Sequence, residues 1–132
     1  MAIVVDTSAL AAIVFGEPDA AMFVTALAAH AGDVSISAAT LVEARIVVEG
    51  RQGRDALDDL ERALMKAAVK VEPVDEGQSA LASTAWQRFG KGRHAADLNF
   101  GDCFSYALSK SLGAPLLFKG QGFSQTDVAS VL

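Results

Sequence analysis

A short apolar run near the N-terminus, ended by an acid, constrains the fold of this chain more than any other feature. The sequence AIVV, from Ala2 to Val5, is rich in β-branched residues and does not alternate with polar ones. Such a run is typical of a strand that is buried on both faces of a parallel sheet. Asp6 follows at once, and the sequence DTS is a good helix start. The chain is therefore expected to begin as a strand that leads directly into a helix.

The same alternation of strand and helix patterns continues to the end of the chain. Short apolar runs at 33–38, 69–74 and 114–120 predict three further strands, and the last segment predicts a loop with an edge strand. Helical patterns lie between them, at 7–16, 17–33, 38–53, 54–68, 75–90 and 101–113. This order predicts an α/β fold with a parallel sheet covered by helices on both faces. Reactive groups in such folds lie beyond the carboxyl ends of the strands.

Length, cysteine content and charge narrow the class of protein. A chain of 132 residues is expected to form one domain over 1–132, and no apolar stretch reaches membrane-spanning length. The only cysteine, Cys103, is interpreted as a small buried residue, and one cysteine favours a reducing cytosol. The net charge of −5 argues against a broad basic surface for nucleic acid. It leaves open a small cationic patch, an acidic metal pocket or a basic partner.

Three acids stand at positions where chemistry is plausible. Asp6 lies at the carboxyl end of the first strand, where it can cap a helix, bind a ligand, or do both. Glu43 falls on a helix face that the sequence indicates to be largely apolar, between Thr40 and Ile46. A buried carboxylate needs a cation, a network of donors or a metal, so Glu43 is a candidate functional residue. Glu49, by contrast, is expected to form an ordinary surface pair with Arg45.

Asp102 occupies the first turn of its predicted helix. Helix capping, or a favourable interaction with the positive end of the helix dipole, would be enough to explain an acid at this position. Ser105, Tyr106 and Ser109 follow it as a polar stripe that could line a pocket. If Asp6, Glu43 and Asp102 converge, their mutual repulsion must be relieved, and clustered carboxylates suit Mg²⁺ or Mn²⁺. A metal site of this kind can activate water for phosphodiester hydrolysis, and the metal would let an acidic protein act on a polyanion.

Other catalytic signatures are absent from the sequence. It has no Cys/His cluster of the kind that binds zinc, no GxSxG elbow and no phosphate-binding glycine loop. The segment RFGKGRH, from Arg88 to His94, is the densest basic stretch. It fits either a solvated loop or, opposite an acidic pocket, a clamp for phosphate.

Several segments, in this order, resemble the PIN-domain ribonuclease toxins of VapBC toxin–antitoxin systems: VVDTSALAAIVFGEPDA, SISAATLVEARIVVEGR, FGKGRHAADLNFGDCFSYALSKSLGAPLLFKG and FSQTDV. The resemblance runs essentially from end to end. It implies a three-layer α/β/α sandwich and an Mg²⁺- or Mn²⁺-dependent endoribonuclease that forms a homodimer and is inhibited by an antitoxin. It also implies that Asp6 and Asp102 are direct metal ligands, and that Glu43 binds metal directly or through water and positions the attacking water.

One position departs from the pattern of that family. A fourth carboxylate is often found just before the Phe of the loop after PLLFKG, and here the residue is Gly122. Asp127 lies five residues further on, and the motif does not place it as that acid. This departure favours an alternative, a catalytically weak PIN domain that acts mainly through its partner. A receiver-type signalling domain is a more distant alternative, because Asp6 stands alone after the first strand and no phosphoacceptor Asp follows a middle strand.

Overall fold

The computed structural model describes Met1–Leu132 and shows four strands, each separated from the next by two helices. The strands are β1 (Ile3–Val5), β2 (Val34–Ser37), β3 (Lys70–Glu72) and β4 (Leu116–Leu117). The helices are α1 (Thr7–Val14), α2 (Ala20–Ala29), α3 (Ala38–Gln52), α4 (Arg54–Lys66), α5 (Glu76–Phe89) and α6 (Phe100–Leu112), followed by a 3₁₀ turn at Phe123–Gln125. No helix is long and apolar enough to cross a membrane.

The four strands form one sheet in the order β3-β2-β1-β4, and every pairing is parallel. Strand β1 is central: Ile3 is in register with Val34 of β2, and Val4 with Leu116 of β4. Central position explains the continuous apolar sequence of β1, because a strand covered on both faces has no solvated side for polar residues. Asp6 therefore emerges from the middle of the carboxyl edge of the sheet.

Alternate residues of β1 point into two separate cores. Ile3 and Val5 belong to the core shared with helices α1 to α4, whereas Val4 belongs to the core shared with α5 and α6. The sheet is thus enclosed between two helical layers, and the predicted α/β/α sandwich is confirmed. Because successive side chains of a strand point to opposite faces, three residues of β1 are enough to tie both layers together.

The structure differs from the sequence prediction near the C-terminus. Strand β4 stops at Leu117 because the next backbone donors turn away from the sheet, and the Lys119 N–H binds the Ser8 hydroxyl at 2.9 Å. The predicted edge strand is reduced to a single bridge between Leu116 and Ser130. Helix α6 also begins earlier than predicted, because Asn99 serves as its N-cap.

The packing of α4 against α3 and α1 predicts a large loss of stability when its central side chain is shortened. Leu60 is fully buried, so Leu60→Ala should lower the free energy of unfolding by about 2–5 kcal/mol through lost apolar contact and the cavity left behind. Met65 lies on the same helix but is 81% exposed, so Met65→Ala should change the free energy of unfolding by less than about 0.5 kcal/mol. Urea unfolding followed by circular dichroism measures both, and equal costs for the two variants would contradict the packing described.

Candidate active site

Asp6 is buried at the carboxyl end of β1, where both of its carboxylate oxygens accept hydrogen bonds. Oδ2 accepts from the backbone N–H of Ser8 at 3.0 Å and from the Ser8 hydroxyl at 2.7 Å, and Oδ1 accepts from the hydroxyl of Ser105. The Ser8 hydroxyl is in turn held by the N–H of Lys119. Asp6 therefore caps α1, as the sequence predicts, and is fixed by residues of α1 and α6 at the same time.

Glu43 lies in the second turn of α3, half-buried against the N-terminal ends of α1 and α6. Its Oε1 accepts a hydrogen bond from the Thr7 hydroxyl at 2.6 Å. Gly101 of α6 packs so closely that a Cβ atom at that position would overlap the Glu43 carboxylate. Burial raises the pKa of the Glu43 carboxyl, the Thr7 hydrogen bond opposes this, and the charge of Asp6 raises the pKa further.

The expectation that Glu43 sits on an apolar helix face was wrong in its detail. Ile46, one turn along α3, is 67% exposed, and the residue that meets Glu43 across the interface is the polar Thr7. The expected pair of Arg45 with Glu49 is also not formed, because the Arg45 Nε lies 2.8 Å from Glu61 of α4. Helix α4 packs beside α3 and offers a carboxylate that sequence spacing cannot reveal.

Asp102 holds the first turn of α6 and faces the other two acids. Asn99 and Asp102 form a capping box in which each side chain accepts a hydrogen bond from the backbone N–H of the other, both at 2.9 Å. Burial raises the pKa of the Asp102 carboxyl to about 6, and the negative charges of Asp6, Glu43 and Asp97 contribute in that order. Capping and convergence with other acids are therefore combined in one side chain.

The three carboxylates have hydroxyl and amide partners but no cationic ones. None of them forms an ion pair, and the nearby Lys119 is bound instead to Asp19 and Glu17, at 3.1 and 3.2 Å. Oδ1 of Asp102 and Oε2 of Glu43 receive no hydrogen bond from the protein. These hard oxygens fit a divalent cation. As the side chains stand, however, they do not form a group of three ligands that could hold one.

The remaining polar residues of α6 do not share this site. Of the predicted stripe, only Ser105 reaches Asp6, because the Tyr106 hydroxyl donates to Asp127 at 2.6 Å and the Ser109 hydroxyl donates to the Ala114 carbonyl. Tyr106 holds the pKa of the Asp127 carboxyl below its ordinary value, and Lys110 lies 3.2 Å from the same group. Lys110 is eight residues beyond Asp102 on α6, about 12 Å along the helix axis. Asp127 therefore stands apart from the three acids.

Gly122 leaves little room for the missing fourth acid. A Cβ atom at this position would lie 2.9 Å from the carbonyl oxygen of Ala96, so a side chain there would require the 90–98 loop to shift. The next residue of that loop, Asp97, is an acid that sequence reasoning missed. Its charge raises the pKa of Asp102, and its backbone has a φ of 57°. Asp97 precedes Asp102 by only five residues, so their closeness along the chain was a signal that could have identified it.

Comparison with known proteins agrees with this architecture. The family model described as "PIN domain" matches residues 3–129. The chain belongs to the PIN-domain family. The family predicted from sequence motifs is thereby confirmed, and the three acids lie at the sheet edge of a PIN domain.

The relatives of this PIN domain carry ribonuclease names. It is 48% identical to "Ribonuclease VapC" of Mycolicibacterium smegmatis, over 97% of this chain and 98% of that protein. It is 45% identical to "Ribonuclease VapC30" of Mycobacterium tuberculosis, over 97% of each. These names agree with the enzyme class predicted from the sequence, a ribonuclease.

Solved structures support the fold. VapC20 of M. tuberculosis, described as a "Sarcin-Ricin loop cleaving toxin", superposes with a TM-score of 0.80 at 23% identity, covering 98% of each chain. A Pyrobaculum aerophilum protein superposes with a TM-score of 0.62 at 22% identity, over 98% of this chain and 87% of that one. At these identities the likeness concerns the fold alone.

The raised pKa of Asp102 predicts how stability depends on pH when no divalent metal is present. Because the folded pKa of about 6 exceeds the ordinary 3.8, the folded protein binds this proton more tightly than the unfolded chain does. The stability that protonation of Asp102 contributes to the folded state is fully present below about pH 4 and is lost as pH rises through about 6.

Asp102→Asn should therefore stabilise this PIN domain at pH 7.5 by about 1–2 kcal/mol, after discounting for partial solvent exposure, and by little at pH 4.5. Urea unfolding in EDTA at the two pH values measures the difference. Asparagine can still accept the capping bond, which isolates the effect of charge. Equal stabilities of variant and wild type at both pH values would contradict a destabilising carboxylate cluster.

Proposed function

We propose that this PIN domain is a metal-dependent endoribonuclease that hydrolyses RNA phosphodiester bonds and acts as the toxin of a toxin–antitoxin pair. The observation that carries the proposal is the convergence of Asp6, Glu43 and Asp102 at the carboxyl edge of the sheet with no cation of the protein among them. Helix α6, which carries Asp102, contacts both other acids: Gly101 packs on the Glu43 carboxylate and Ser105 binds Asp6. Relatives over nearly the whole chain are named ribonucleases, which supports the choice of RNA as substrate.

Mg²⁺ or Mn²⁺ is the cofactor that this donor set suits, and it would neutralise the carboxylates and polarise the scissile phosphate. Asp6 and Asp102 are proposed as its direct ligands. Asp6 is already oriented by Ser8 and Ser105, so little side-chain entropy remains to be lost on binding. Asp102 offers Oδ1, which no protein group occupies.

Glu43 is proposed to orient the attacking water, either as a metal ligand or through that water. The Thr7 hydroxyl fixes Oε1, which leaves Oε2 free to accept a hydrogen bond from water. Burial raises the pKa of Glu43, and a carboxylate with a raised pKa is a better proton acceptor than one in bulk water. Thr7 and Gly101 together restrict where this side chain can lie.

A second candidate function is a catalytically weak PIN domain that acts mainly by binding a partner. The favouring observation is the missing fourth acid: Gly122 has no carboxylate, and Asp127 is bound to Tyr106 and Lys110 elsewhere. RNA cleavage by the purified protein separates the two candidates, because only the first requires turnover.

The partners that fit the proposed toxin are an antitoxin protein and a second copy of this chain, in the reducing cytosol. Exposed apolar residues Val42 and Ile46 flank Glu43 on α3 and give a protein partner a place to dock beside the acids. The net charge of −5 favours a basic antitoxin. Loss of RNA cleavage on adding purified antitoxin tests the first partner. A sedimentation mass of twice 13.7 kDa tests the second.

The proposed roles predict which acids RNA cleavage needs. Asp6→Asn and Asp102→Asn should each reduce the Mn²⁺-dependent cleavage rate by at least about 10²-fold, because each removes charge that holds the cation. Asp127→Asn is the matched control: it changes an acid of the same type outside the cluster and should keep the rate within about threefold. Gel assays of a labelled RNA with and without EDTA, on variants checked by circular dichroism, measure these rates. Retained cleavage in well-folded Asp6→Asn and Asp102→Asn proteins would refute the assignment.

The close approach of Gly101 to Glu43 predicts that Gly101→Ala weakens metal binding while the protein still folds. In Gly101→Ala the new methyl group must displace the Glu43 carboxylate, which is the flexible end of a side chain, so the fold should survive. The rise in Tm caused by Mn²⁺ should fall to less than about half that of wild type, because a site that binds metal more weakly is stabilised less by it.

Gly50→Ala is the control for this experiment. Gly50 also lies within a helix, and nothing approaches its Cβ position within 4 Å. This substitution should raise the free energy of unfolding by about 0.5–1 kcal/mol and leave the Mn²⁺-induced rise in Tm unchanged. An unaltered Mn²⁺ response in Gly101→Ala would show that Glu43 does not contribute to the metal site.

A further inference from the structure

A cleft of about 640 Å³ lies between helices α5 and α6 and reaches the first turn of α6, the turn that also carries Asp102. Its apolar wall is formed by Trp86, Phe100, Cys103 and Phe104. Phe100 and Cys103 lie on the α5-facing side of α6, whereas Asp102 lies on another side of the same first turn, so the cleft and the acidic cluster share one end of this helix. A chain-like molecule bound across the acids and around the start of α6 would bring its next unit to this cleft.

The side chain of Phe100 is 80% exposed, although it is a large aromatic residue within a helix. It belongs to neither core, and its only aromatic contact is an edge-to-face one with Phe104, at 4.9 Å between ring centroids. This contact restricts the Phe100 ring while most of its surface stays open to solvent. Folding does not account for such an arrangement, because an exposed ring gains little from burial.

Positive charge lies next to Trp86, the aromatic residue that α5 contributes to the cleft. The guanidinium of Arg93 lies 4.4 Å from the centre of the Trp86 ring, and Lys91 is exposed two residues earlier. Neither side chain forms an ion pair with a carboxylate of the protein. On a chain with a net charge of −5, an open aromatic ring beside unpaired cations matches the chemistry of a single-stranded nucleic acid.

We propose that this cleft holds an unpaired nucleobase next to the scissile phosphate, stacked on Phe100, while Arg93 and Lys91 contact the RNA backbone. The proposal rests on the ribonuclease function above and adds the subsite that binds a base. Stacking accepts every base, so the subsite selects unpaired nucleotides over paired ones. It also explains how a protein without a broad basic surface holds RNA in register with three carboxylates.

The test uses the full chain carrying Asp102→Asn, so that RNA is bound without being cut. Single-stranded oligoribonucleotides, each with one 2-aminopurine at a different position, are titrated with this protein in Mg²⁺. We expect fluorescence quenching at one position next to the cleavage point. Adding Phe100→Ala should abolish the quenching and weaken binding by about five- to a hundredfold, the range for base–aromatic stacking, whereas Phe100→Tyr should preserve both. Met65→Ala, at an equally exposed apolar residue on α4, should change neither.

The outcomes separate the subsite from the enzyme. Suppose that wild type cleaves RNA, but that the Asp102→Asn protein binds RNA and quenches 2-aminopurine equally well with and without Phe100→Ala. The subsite is then refuted and the enzyme assignment stands. If Phe100→Ala instead changes the sedimentation mass and leaves the quenching intact, the cleft is a protein interface and the subsite is again refuted. If wild type neither binds nor cleaves RNA, both proposals fail together.

Discussion

Repulsion among carboxylates that share one edge of a parallel sheet is the constraint around which the rest of this structure is arranged. Asp6 leaves the central strand, Glu43 approaches from α3 and Asp102 from the first turn of α6. The charge of Asp6 raises the pKa of Glu43 and of Asp102, and the charge of Glu43 raises the pKa of Asp102. The fold brings them together because helices α1, α3 and α6 all begin at this edge. Gly101 permits the closest approach, since any side chain there would occupy the place of the Glu43 carboxylate.

The protein stabilises these acids with dipoles and hydroxyl groups rather than with cations. The hydroxyls of Ser8 and Ser105 donate to Asp6, and the Thr7 hydroxyl donates to Glu43. The backbone N–H groups of Ser8 and Asn99 donate to Asp6 and Asp102. Neutral donors orient the carboxylates without removing their charge, which leaves the remaining charge for a divalent cation to neutralise. An arginine in the same place would stabilise the fold and remove the reason to bind metal. The folded state is thus less stable than it would be with a cationic side chain in this place, but the site can bind a divalent cation.

Sequence reasoning recovered the features that depend on local pattern. The apolar run before Asp6 identified the central strand, and the alternation of elements identified the sandwich. Contacts between segments far apart in the sequence were out of reach: Arg45 pairs with Glu61 of α4, and Asp127 is bound by Tyr106. Spacing along one helix determines which residues share a face, but not what lies opposite that face.

The proposed hydrolysis requires that one divalent cation bind among the three acids. The most direct test is a crystal structure of the wild-type protein soaked in Mn²⁺, with anomalous diffraction recorded above the manganese edge. We expect a strong anomalous peak for Mn²⁺ within coordinating distance of Asp6 and Asp102, with Glu43 bound to the ion directly or through one water. A well-diffracting crystal in which Mn²⁺ occupies another site, with these carboxylates left unliganded, would contradict it.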